Sequence, residues 1–244
     1  MASVKRIANI LRYGLGPKAR ARKRAVKTAR RRAEFQDRSL WNHGADGATR
    51  RYGSYGEYLT HQAAKFDGIA GRLHETEAED FAEFRRRFET CTPLAEARSV
   101  LCLGARLGTE VRALHSLGHF AVGIDLNPGP ANPYVLPGDF HHVVFPDGSV
   151  DAIYCNALDH VFDLDRFLAE IRRLLRPGGL FVADLVDGYE EGFVPGRFEA
   201  RLWRDSRAFI AEIAAGGRLT TVEMRDLGVL RLLHWTQAVF RRPA

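Results

Sequence analysis

From residue 98 onward, short apolar runs alternate with helix-like stretches, and this alternation constrains the fold more than any other feature of the chain. The apolar runs lie at 99–104, 119–125, 134–139, 149–156 and 180–186, and helical periodicity is evident at 109–118 and 163–175. A helix near 204–215 and two β-like runs, at 218–227 and 232–240, follow. Buried strands joined by helices are typical of a parallel sheet covered on both faces. We therefore predict an α/β fold with a doubly wound sheet.

The residues before this region contain a linker and two predicted helices. Residues 39–56 are rich in glycine and are predicted to be a linker or surface loop. One helix is predicted at 56–66 and another at 76–90, where Thr76 is the expected N-cap. In the second helix, apolar side chains recur every three or four residues on one face, at Phe81, Phe84 and Phe88.

Positive charge is concentrated at the beginning of the chain. Residues 1–38 contain 13 lysine and arginine residues and two acids, whereas the whole chain has a net charge of only +6. Such an arm binds phosphate groups, of nucleic acid or of anionic lipid, through salt-dependent attraction. A solvated tail without a partner would have the same composition. We predict a basic arm over residues 1–38, which fits RNA or an anionic membrane surface as its partner.

Composition excludes several other classes of protein. Hydrophobic residues make up 45% of the chain and charged residues 27%, as is usual for globular proteins. The apolar runs are strand-sized, well below the roughly 18 residues of a membrane-spanning helix. The three cysteines, Cys91, Cys102 and Cys155, have no C-x-x-C spacing, which argues against a disulfide framework or a zinc site. We expect a cytoplasmic protein without a metal, bound at most peripherally to a membrane surface.

Glycine and polar residues follow the ends of the predicted strands. Gly104 and Gly108 lie in the turn after the first strand, Asp125 ends the second, and Asp139 and Asn156 follow the third and fourth. In a doubly wound sheet, ligands bind at the carboxyl ends of the strands, where the strand order reverses. A glycine turn lets the backbone approach a ligand, and a carboxylate about twenty residues later is placed to accept hydrogen bonds from ribose hydroxyls. These residues predict a site for a nucleoside-bearing cofactor.

The same stretches resemble class I S-adenosylmethionine-dependent methyltransferases, in particular the small, type 11-like methyltransferase domains that act on metabolites. The resemblance covers residues 98–186 and is clearest in VLCLGARLGTEV (100–111), GIDLNP (123–128) and the Pro-Gly-Gly turn at 177–179. It implies a Rossmann-like, seven-stranded mixed sheet and S-adenosylmethionine as the cofactor. A nicotinamide-binding domain fits less well, because the glycine turn lacks the G-x-G-x-x-G order.

The resemblance also implies contacts with the cofactor at eight positions: Gly104, Ala105, Gly108, Asp125, Leu126, Asp139, Phe140 and Asn156. The glycine turn would approach the methionine part, and Asp125 would bind the ribose hydroxyls. Asp139 would bind the adenine amine, and Phe140 would cover the adenine face. Asn156 would lie beside the methionine end and the reaction centre.

The sequence departs from the family's pattern in three places. Cys102 stands where an acid is usual, and Arg106 stands where the turn usually has a middle glycine. Arg106 adds bulk and positive charge beside a cofactor whose sulfonium is already positive. The helix expected after Asp125 is replaced by NPGPANP (127–133), whose three prolines predict a compact loop.

Methyl transfer requires mainly that the nucleophile and the methyl group be aligned, and a nucleophile that must lose a proton benefits from a general base. His160, four residues after Asn156, is the first candidate base, with Asp159 as its neighbour. His141 and His142 are second choices. A histidine that only packs against the next helix would look the same in the sequence.

The first predicted helix carries the other concentration of polar side chains. Helical spacing places Tyr58, His61, Gln62 and Lys65 on one face. In related methyltransferases a helix before the first strand often covers the cofactor or the substrate. The resemblance therefore implies a lid that contacts the substrate through Tyr55, His61, Gln62 and Lys65, although an ordinary half-buried helix has the same pattern.

The combined prediction is an enzyme that transfers a methyl group from S-adenosylmethionine to a small-molecule or glycan-type acceptor. Its domains are the basic arm (1–38), a linker with a helical lid (39–97) and the methyltransferase domain (98–244). The alternative is a noncatalytic cofactor-binding module that the arm tethers to RNA or an anionic membrane. Arg106 and Cys102 favour the module, and the strand-end set of Asp125, Asp139 and Asn156 favours the enzyme.

Overall fold

The computed structural model describes residues 16–244, without the side chains of residues 17, 67–70 and 72–74. Residues 1–15, which belong to the predicted basic arm, lie outside the described residues. The helices are α1 (Pro17–Gln36), α2 (Tyr55–Ala63), α3 (Lys65–Glu89), α4 (Thr109–Ser116), α5 (Leu164–Leu174) and α6 (Ser206–Gly217), with short 3-10 helices at Thr92–Glu96 and Leu158–His160. The strands are β1 (Trp41–His43), β2 (Gly47–Arg50), β3 (Ser99–Leu103), β4 (Phe120–Asp125), β5 (Val135–Pro137), β6 (Val150–Cys155), β7 (Leu175–Val186), β8 (Arg201–Trp203), β9 (Thr220–Leu230) and β10 (Leu233–Arg241).

Seven of these strands form one mixed sheet in the order β5-β4-β3-β6-β7-β10-β9. The first five are parallel, and β10 is antiparallel to both β7 and β9. The order reverses beside β3, so the carboxyl ends of β3, β4 and β6 border one crevice, the place where such sheets bind ligands. The predicted doubly wound, seven-stranded sheet is confirmed.

Both faces of the sheet are covered, as the uninterrupted apolar strands require. On one face, α5 and α6 pack through a cluster that includes Phe167, Ile171 and Ile213. On the other face, α3 and α4 pack through a cluster that includes Phe88 and Leu114. Each cluster also takes alternate side chains from the central strands, so the sheet is held rigidly between two layers of helices.

Helix α3 begins earlier than the sequence predicts. It starts at Lys65 and runs through Thr76, whose hydroxyl donates to the Asp80 carboxylate inside the helix instead of capping its N-terminus. Glycines at 68 and 71 disfavour a helix by about 1 kcal/mol each. For this reason the sequence pattern did not predict the first turns of α3. The predicted aromatic face is confirmed, since Phe88 is buried and Phe81 and Phe84 pack against the same cluster.

The glycine-rich segment predicted as a linker or surface loop is instead part of a small sheet. Strands β1 and β2 form a hairpin, and β2 also pairs with β8 about 150 residues away. Trp41 and Ala48 are buried between this sheet and its neighbours. The prediction failed here because the partner strand is distant in the sequence and local composition cannot reveal it.

The described part of the basic arm is helical. Helix α1 contains nine lysine and arginine residues and one acid, most of them exposed. It is anchored at its last turn by Phe35, which packs against Trp41 and Tyr189 with ring centroids 5.3 and 5.2 Å away. No helix among residues 16–244 is long and apolar enough to cross a membrane.

A loop links β4 to β5 without a helix, as its prolines predict. The Asn132 side chain ties this loop together, because its amide donates to the carbonyls of Arg106 and Pro128. Its Oδ1 accepts from the backbone N–H groups of Tyr134 and Val135. The loop is therefore fixed directly to the glycine turn after β3.

Candidate active site

Two cavities open at the carboxyl ends of β3, β4 and β6, and they share Gly104 and Arg106 in their walls. Including the space that is open to solvent, the small pocket spans about 500 Å³ and the large cavity about 1580 Å³. The small pocket is lined by residues of α2, α3 and the three strand ends, among them Tyr58, Gln62, Lys65, Asp125, Leu126, Phe140 and His160. The large cavity lies between α3, the glycine turn and the β9–β10 hairpin.

Asp125 is held at the wall of the small pocket by backbone groups. Its Oδ2 accepts from the N–H of Arg106 at 3.0 Å, and its Oδ1 accepts from the N–H of Asn127 at 2.9 Å. Each carboxylate oxygen has a further lone pair for a ligand hydroxyl. The Asp125 carboxylate therefore has a fixed orientation beside the glycine turn, where the sequence spacing predicts it.

Gly104 has the backbone conformation and the space that require glycine. Its φ is +76°, and a Cβ there would lie 2.7 Å from the Cβ of Ala157. Its bare backbone therefore forms the wall that the two cavities share. Gly108 begins α4 with φ +77° and packs against Tyr134 and Val135, so it shapes the turn without lining either cavity.

Arg106 also lies in the left-handed region, at φ 44°. A non-glycine residue costs roughly 1–2 kcal/mol in this conformation. The bonds of its N–H to Asp125 and of its carbonyl to Asn132 hold it there. Ala105 is buried beside it and lines the large cavity.

His160 faces Lys65 within the small pocket. Nδ1 of His160 lies 3.0 Å from the carbonyl oxygen of Phe198, so Nδ1 carries the proton and Nε2 presents its lone pair to the Lys65 Nζ. Burial and the nearby Lys65 and Arg106 charges hold the pKa of His160 well below its usual value. Burial and Arg106 likewise lower the pKa of Lys65 to about 7. The pair therefore contains a neutral imidazole beside a lysine that releases its proton near neutral pH.

Asp159 is next to His160 but does not line either cavity. Its Oδ2 is 3.5 Å from the His160 Nε2, and burial raises the pKa of its carboxyl group. His141 is buried and bonded to Asp139, and His142 is exposed. The structure thus brings His160 alone among these candidates to the wall of a cavity.

Asp139 is occupied by neighbouring groups and does not line the small pocket. Its carboxylate accepts from the Tyr55 hydroxyl at 2.5 Å and from the His141 backbone N–H at 2.9 Å. Although burial opposes this, the hydrogen bonds from His141 and Tyr55 hold the pKa of Asp139 below its usual value. The contact between Asp139 and adenine that the resemblance implies stays a prediction. It requires the Tyr55 hydroxyl to give up its hydrogen bond to the Asp139 carboxylate.

The four predicted lid residues divide into two groups. Gln62 and Lys65 line the small pocket, and the Gln62 amide also donates to the Phe198 carbonyl at 2.7 Å. His61 bonds to the Tyr52 hydroxyl at 2.9 Å and stacks on Phe198, and Tyr55 bonds to Asp139. Neither His61 nor Tyr55 lines a cavity, so their roles towards a substrate stay predictions.

The large cavity contains residues that the sequence did not single out. They are Arg31, Phe84, Arg87, Glu110, Leu230, Arg231, Leu233 and Trp235, and the predicted cofactor contact Asn156 lines the cavity with them. These side chains come from α1, α3, α4 and the β9–β10 hairpin. No local motif marks them, because the cavity forms only when distant segments pack together. Within the described ranges, no group of three or more histidine, cysteine, aspartate or glutamate side chains could hold a metal ion.

Comparison with known proteins gives the same assignment as the geometry. A family model described as a methyltransferase domain matches residues 101–183, the segment that contains the glycine turn, Asp125 and Asn156. The match supports a methyltransferase domain over these residues. The predicted resemblance is confirmed in both family and fold.

The chain is 49% identical over 98 residues to sterol 24-C-methyltransferase ERG6B of Gibberella zeae, which covers 34% of this chain and 26% of that protein. It is 30% identical over 156 residues to an uncharacterized 37.1 kDa protein in transposon TN4556 of Streptomyces fradiae, covering 52% and 45%. The chain thus spans less than half the length of either curated relative.

The methyltransferase fold extends beyond the matched segment. The structure of Burkholderia thailandensis 1,6-didemethyltoxoflavin-N1-methyltransferase superposes with a TM-score of 0.63 at 19% identity. The superposition covers 84% of this chain and 99% of that one, and that protein was crystallised with S-adenosylhomocysteine and 1,6-didemethyltoxoflavin.

Proposed function

We propose that this protein transfers a methyl group from S-adenosylmethionine to a small-molecule acceptor. The observation that carries the proposal is the small pocket, where the fixed Asp125 carboxylate lies beside the bare backbone of Gly104. The methyltransferase domain in which both residues lie supports the cofactor, and the named relatives with small-molecule substrates support the acceptor class.

The residues of the small pocket fit the nucleoside part of this cofactor. Asp125 has lone pairs for the two ribose hydroxyls, because its backbone partners use only one on each oxygen. Phe140 and Leu126 offer apolar surface for the adenine ring. The positively charged Arg106, at the junction of the cavities, is suited to the carboxylate of the methionine part. When bound, the cofactor supplies an electrophilic methyl group on a sulfonium.

The acceptor is assigned to the large cavity, which shares Gly104 and Arg106 with the small pocket. Asn156 lines this cavity close to the shared wall and can orient a polar group of the acceptor through its side-chain amide. Alignment of the two reactants is the main contribution of the protein, and it can be worth about 7 kcal/mol or more. A glycan-type acceptor gains no support from the named relatives, whose names refer to a sterol and to 1,6-didemethyltoxoflavin.

A role of His160 as general base stays a prediction, because His160 lines the small pocket and not the cavity assigned to the acceptor, and burial lowers its pKa. Its Nδ1 is fixed by the Phe198 carbonyl, so its Nε2 is the atom that would take up a proton. Lys65 is the neighbour through which that proton can move, since its pKa of about 7 lets the amine gain or lose a proton near neutral pH. A contribution from Asp159 stays a prediction.

The test is calorimetric titration of the full-length protein with S-adenosylmethionine and S-adenosylhomocysteine. We expect micromolar binding and at least tenfold weaker binding by Asp125→Asn, because hydrogen bonds to a charged group are worth about 1.5–3 kcal/mol. The matched control is Asp147→Asn, which removes an exposed carboxylate that lines neither cavity and should bind normally. A folded wild-type protein that binds neither compound would contradict the proposal.

A second measurement separates the enzyme from the noncatalytic module. Release of S-adenosylhomocysteine from S-adenosylmethionine is followed with a panel of small acceptors. Turnover with any acceptor supports the enzyme, whereas tight cofactor binding without turnover favours the module. The exposed basic helix α1 is the observation that keeps RNA or an anionic membrane as a partner under either outcome.

A further inference from the structure

The large cavity contains more positive charge than its own carboxylates neutralise. Arg87 is paired, since its Nη1 is 2.9 Å from Asp184 and its Nε is 2.7 Å from Glu83. Arg231 is paired as well, with its Nη2 2.6 Å from Asp80. These ion pairs leave two other guanidinium groups in the wall of the cavity, those of Arg31 and Arg106.

Arg31 and Arg106 have no carboxylate within salt-bridge distance in the part of the chain that the structure describes. Arg106 lines both cavities and therefore faces the cofactor. Arg31 lines only the large cavity, and the anchored last turn of α1 places it there. Among the carboxyl groups that line the large cavity, Asp80 and Glu83 are already paired, and the third, Glu110, is buried, which raises its pKa to about 8.

The large cavity also has apolar and aromatic lining residues. Phe84 of α3 and Trp235 of β10 line it, together with Leu230 and Leu233 of the hairpin. The Arg87 guanidinium lies 5.1 Å from the centroid of the Trp235 ring, which fixes the orientation of the indole. The Trp235 Nε1 is buried without a hydrogen-bond acceptor among the described residues.

We infer that the acceptor of this cavity is a small molecule with an apolar body and an anionic group, and that Arg31 of the basic helix binds the anion. The inference rests on the proposed function, since it assigns the substrate class of the same site. The apolar body packs between Phe84 and Trp235, and the anion takes the place of the carboxylate that Arg31 lacks. Part of the basic arm thereby belongs to the acceptor site.

The test uses two probes of the same shape, 2-naphthoate and the uncharged 2-naphthamide. Equilibrium dialysis of the full-length protein, saturated with S-adenosylhomocysteine, measures the Kd of each, and their ratio gives the preference for the anion. We expect the wild-type protein to bind 2-naphthoate about tenfold more tightly, as one charge-assisted contact provides. Arg31→Gln should bring the ratio close to one.

The matched control is Arg32→Gln, which removes the same charge from an exposed neighbouring position of α1 and should keep the ratio of the wild-type protein. Equal affinities of the wild-type protein for both probes, or an unchanged ratio in Arg31→Gln, would overturn the inference. Loss of the preference in Arg32→Gln would overturn the assignment to Arg31.

Calorimetry with S-adenosylhomocysteine on the same preparations distinguishes this inference from the proposed function. If the cofactor fails to bind, dialysis is repeated without it. A preference for 2-naphthoate that depends on Arg31 would then support the anion site, although the methyltransferase assignment would be wrong. Normal cofactor binding with no anion preference would overturn only the acceptor class.

Discussion

Glu110 illustrates how far the site departs from the average behaviour of its residue types. It lies in the first turn of α4, is only 5% exposed, and packs between the large cavity and the apolar cluster of α3 and α4. Burial raises the pKa of its carboxyl group from 4.5 to about 8, with a smaller opposing effect of Arg106. At neutral pH the side chain is therefore largely protonated, and it does not neutralise the charges of Arg31 and Arg106 in the same cavity.

The raised pKa of Glu110 predicts a pH dependence of stability. Between pH 4.5 and about 8 the folded state holds a proton that the unfolded state has released, so the free energy of unfolding falls as pH rises, by up to about 1.4 kcal/mol per pH unit. The Glu110→Gln variant has no carboxyl group to titrate at this position, so its free energy of unfolding does not fall for this reason. Urea unfolding should therefore show equal stability below pH 4.5 and a growing advantage of the variant up to about pH 8.

The control for this prediction is Glu89→Gln, which changes an exposed glutamate at the end of α3. Its stability difference from the wild-type protein should stay nearly constant with pH. A constant difference for Glu110→Gln as well would mean that Glu110 is ionised in the folded protein.

At the scale of elements, the connection of α1 to the body depends on one side chain. The helix is rich in arginine and largely exposed, and Phe35 in its last turn is the residue with which it enters the apolar cluster of β1, β2 and β8. Trp41 and Tyr189 surround that ring, and the Phe35 carbonyl accepts a hydrogen bond from the His43 Nε2. Arg31, four residues earlier, is placed at the large cavity by this contact.

Phe35→Ala should detach α1 from the body. Truncation of a buried phenylalanine costs about 3 kcal/mol, which raises the detached population by up to roughly a hundredfold. Limited trypsin digestion should therefore cleave α1 faster, and the preference for 2-naphthoate should fall as in Arg31→Gln. Val26→Ala, at a position that is 63% exposed on the same helix, is the control and should change neither measurement. An unchanged cleavage rate in Phe35→Ala would show that other contacts hold the helix.

At the scale of the whole molecule, charge is divided between the arm and the body. Residues 1–38 have a net charge of +11 and the remaining residues a net charge of −5. The described part of the arm has basic residues on all sides of α1, so it lacks the apolar face that inserts into a membrane interface. Phosphate groups along a polyanion such as RNA fit this helix better.

The division of charge predicts salt-dependent binding of a polyanion through α1. Replacing Lys18, Arg22, Lys23 and Arg24 with glutamine should weaken the binding of a 20-base-pair RNA duplex. The slope of log K against log salt should fall by roughly 0.7–0.9 for each lost phosphate contact. Fluorescence anisotropy at several salt concentrations measures the slope. A variant with four exposed body arginines replaced (Arg98, Arg207, Arg218 and Arg241) has the same net charge and should keep the wild-type slope.

The sequence predicted the sheet and the positions of Gly104 and Asp125 at its strand ends because their signals are local. Apolar runs of strand length mark β3 to β7, and the distance from Gly104 to Asp125 reflects a single strand-turn-helix-strand unit. The acceptor cavity has no such signal. Arg31 and Trp235 meet there from positions about 200 residues apart, and only the packed structure brings them together.

Helix α3 contributes to both cavities, and this has a thermodynamic consequence. Lys65 and Phe66 in its first turn line the small pocket, whereas Phe84 and Arg87 near its end, roughly 30 Å away, line the large cavity. Two ligands that contact one helix share the entropic cost of ordering it, so the first to bind lowers the cost for the second. By linkage the benefit is mutual and equal in both directions. Cooperativity between the two sites therefore requires no movement of the sheet.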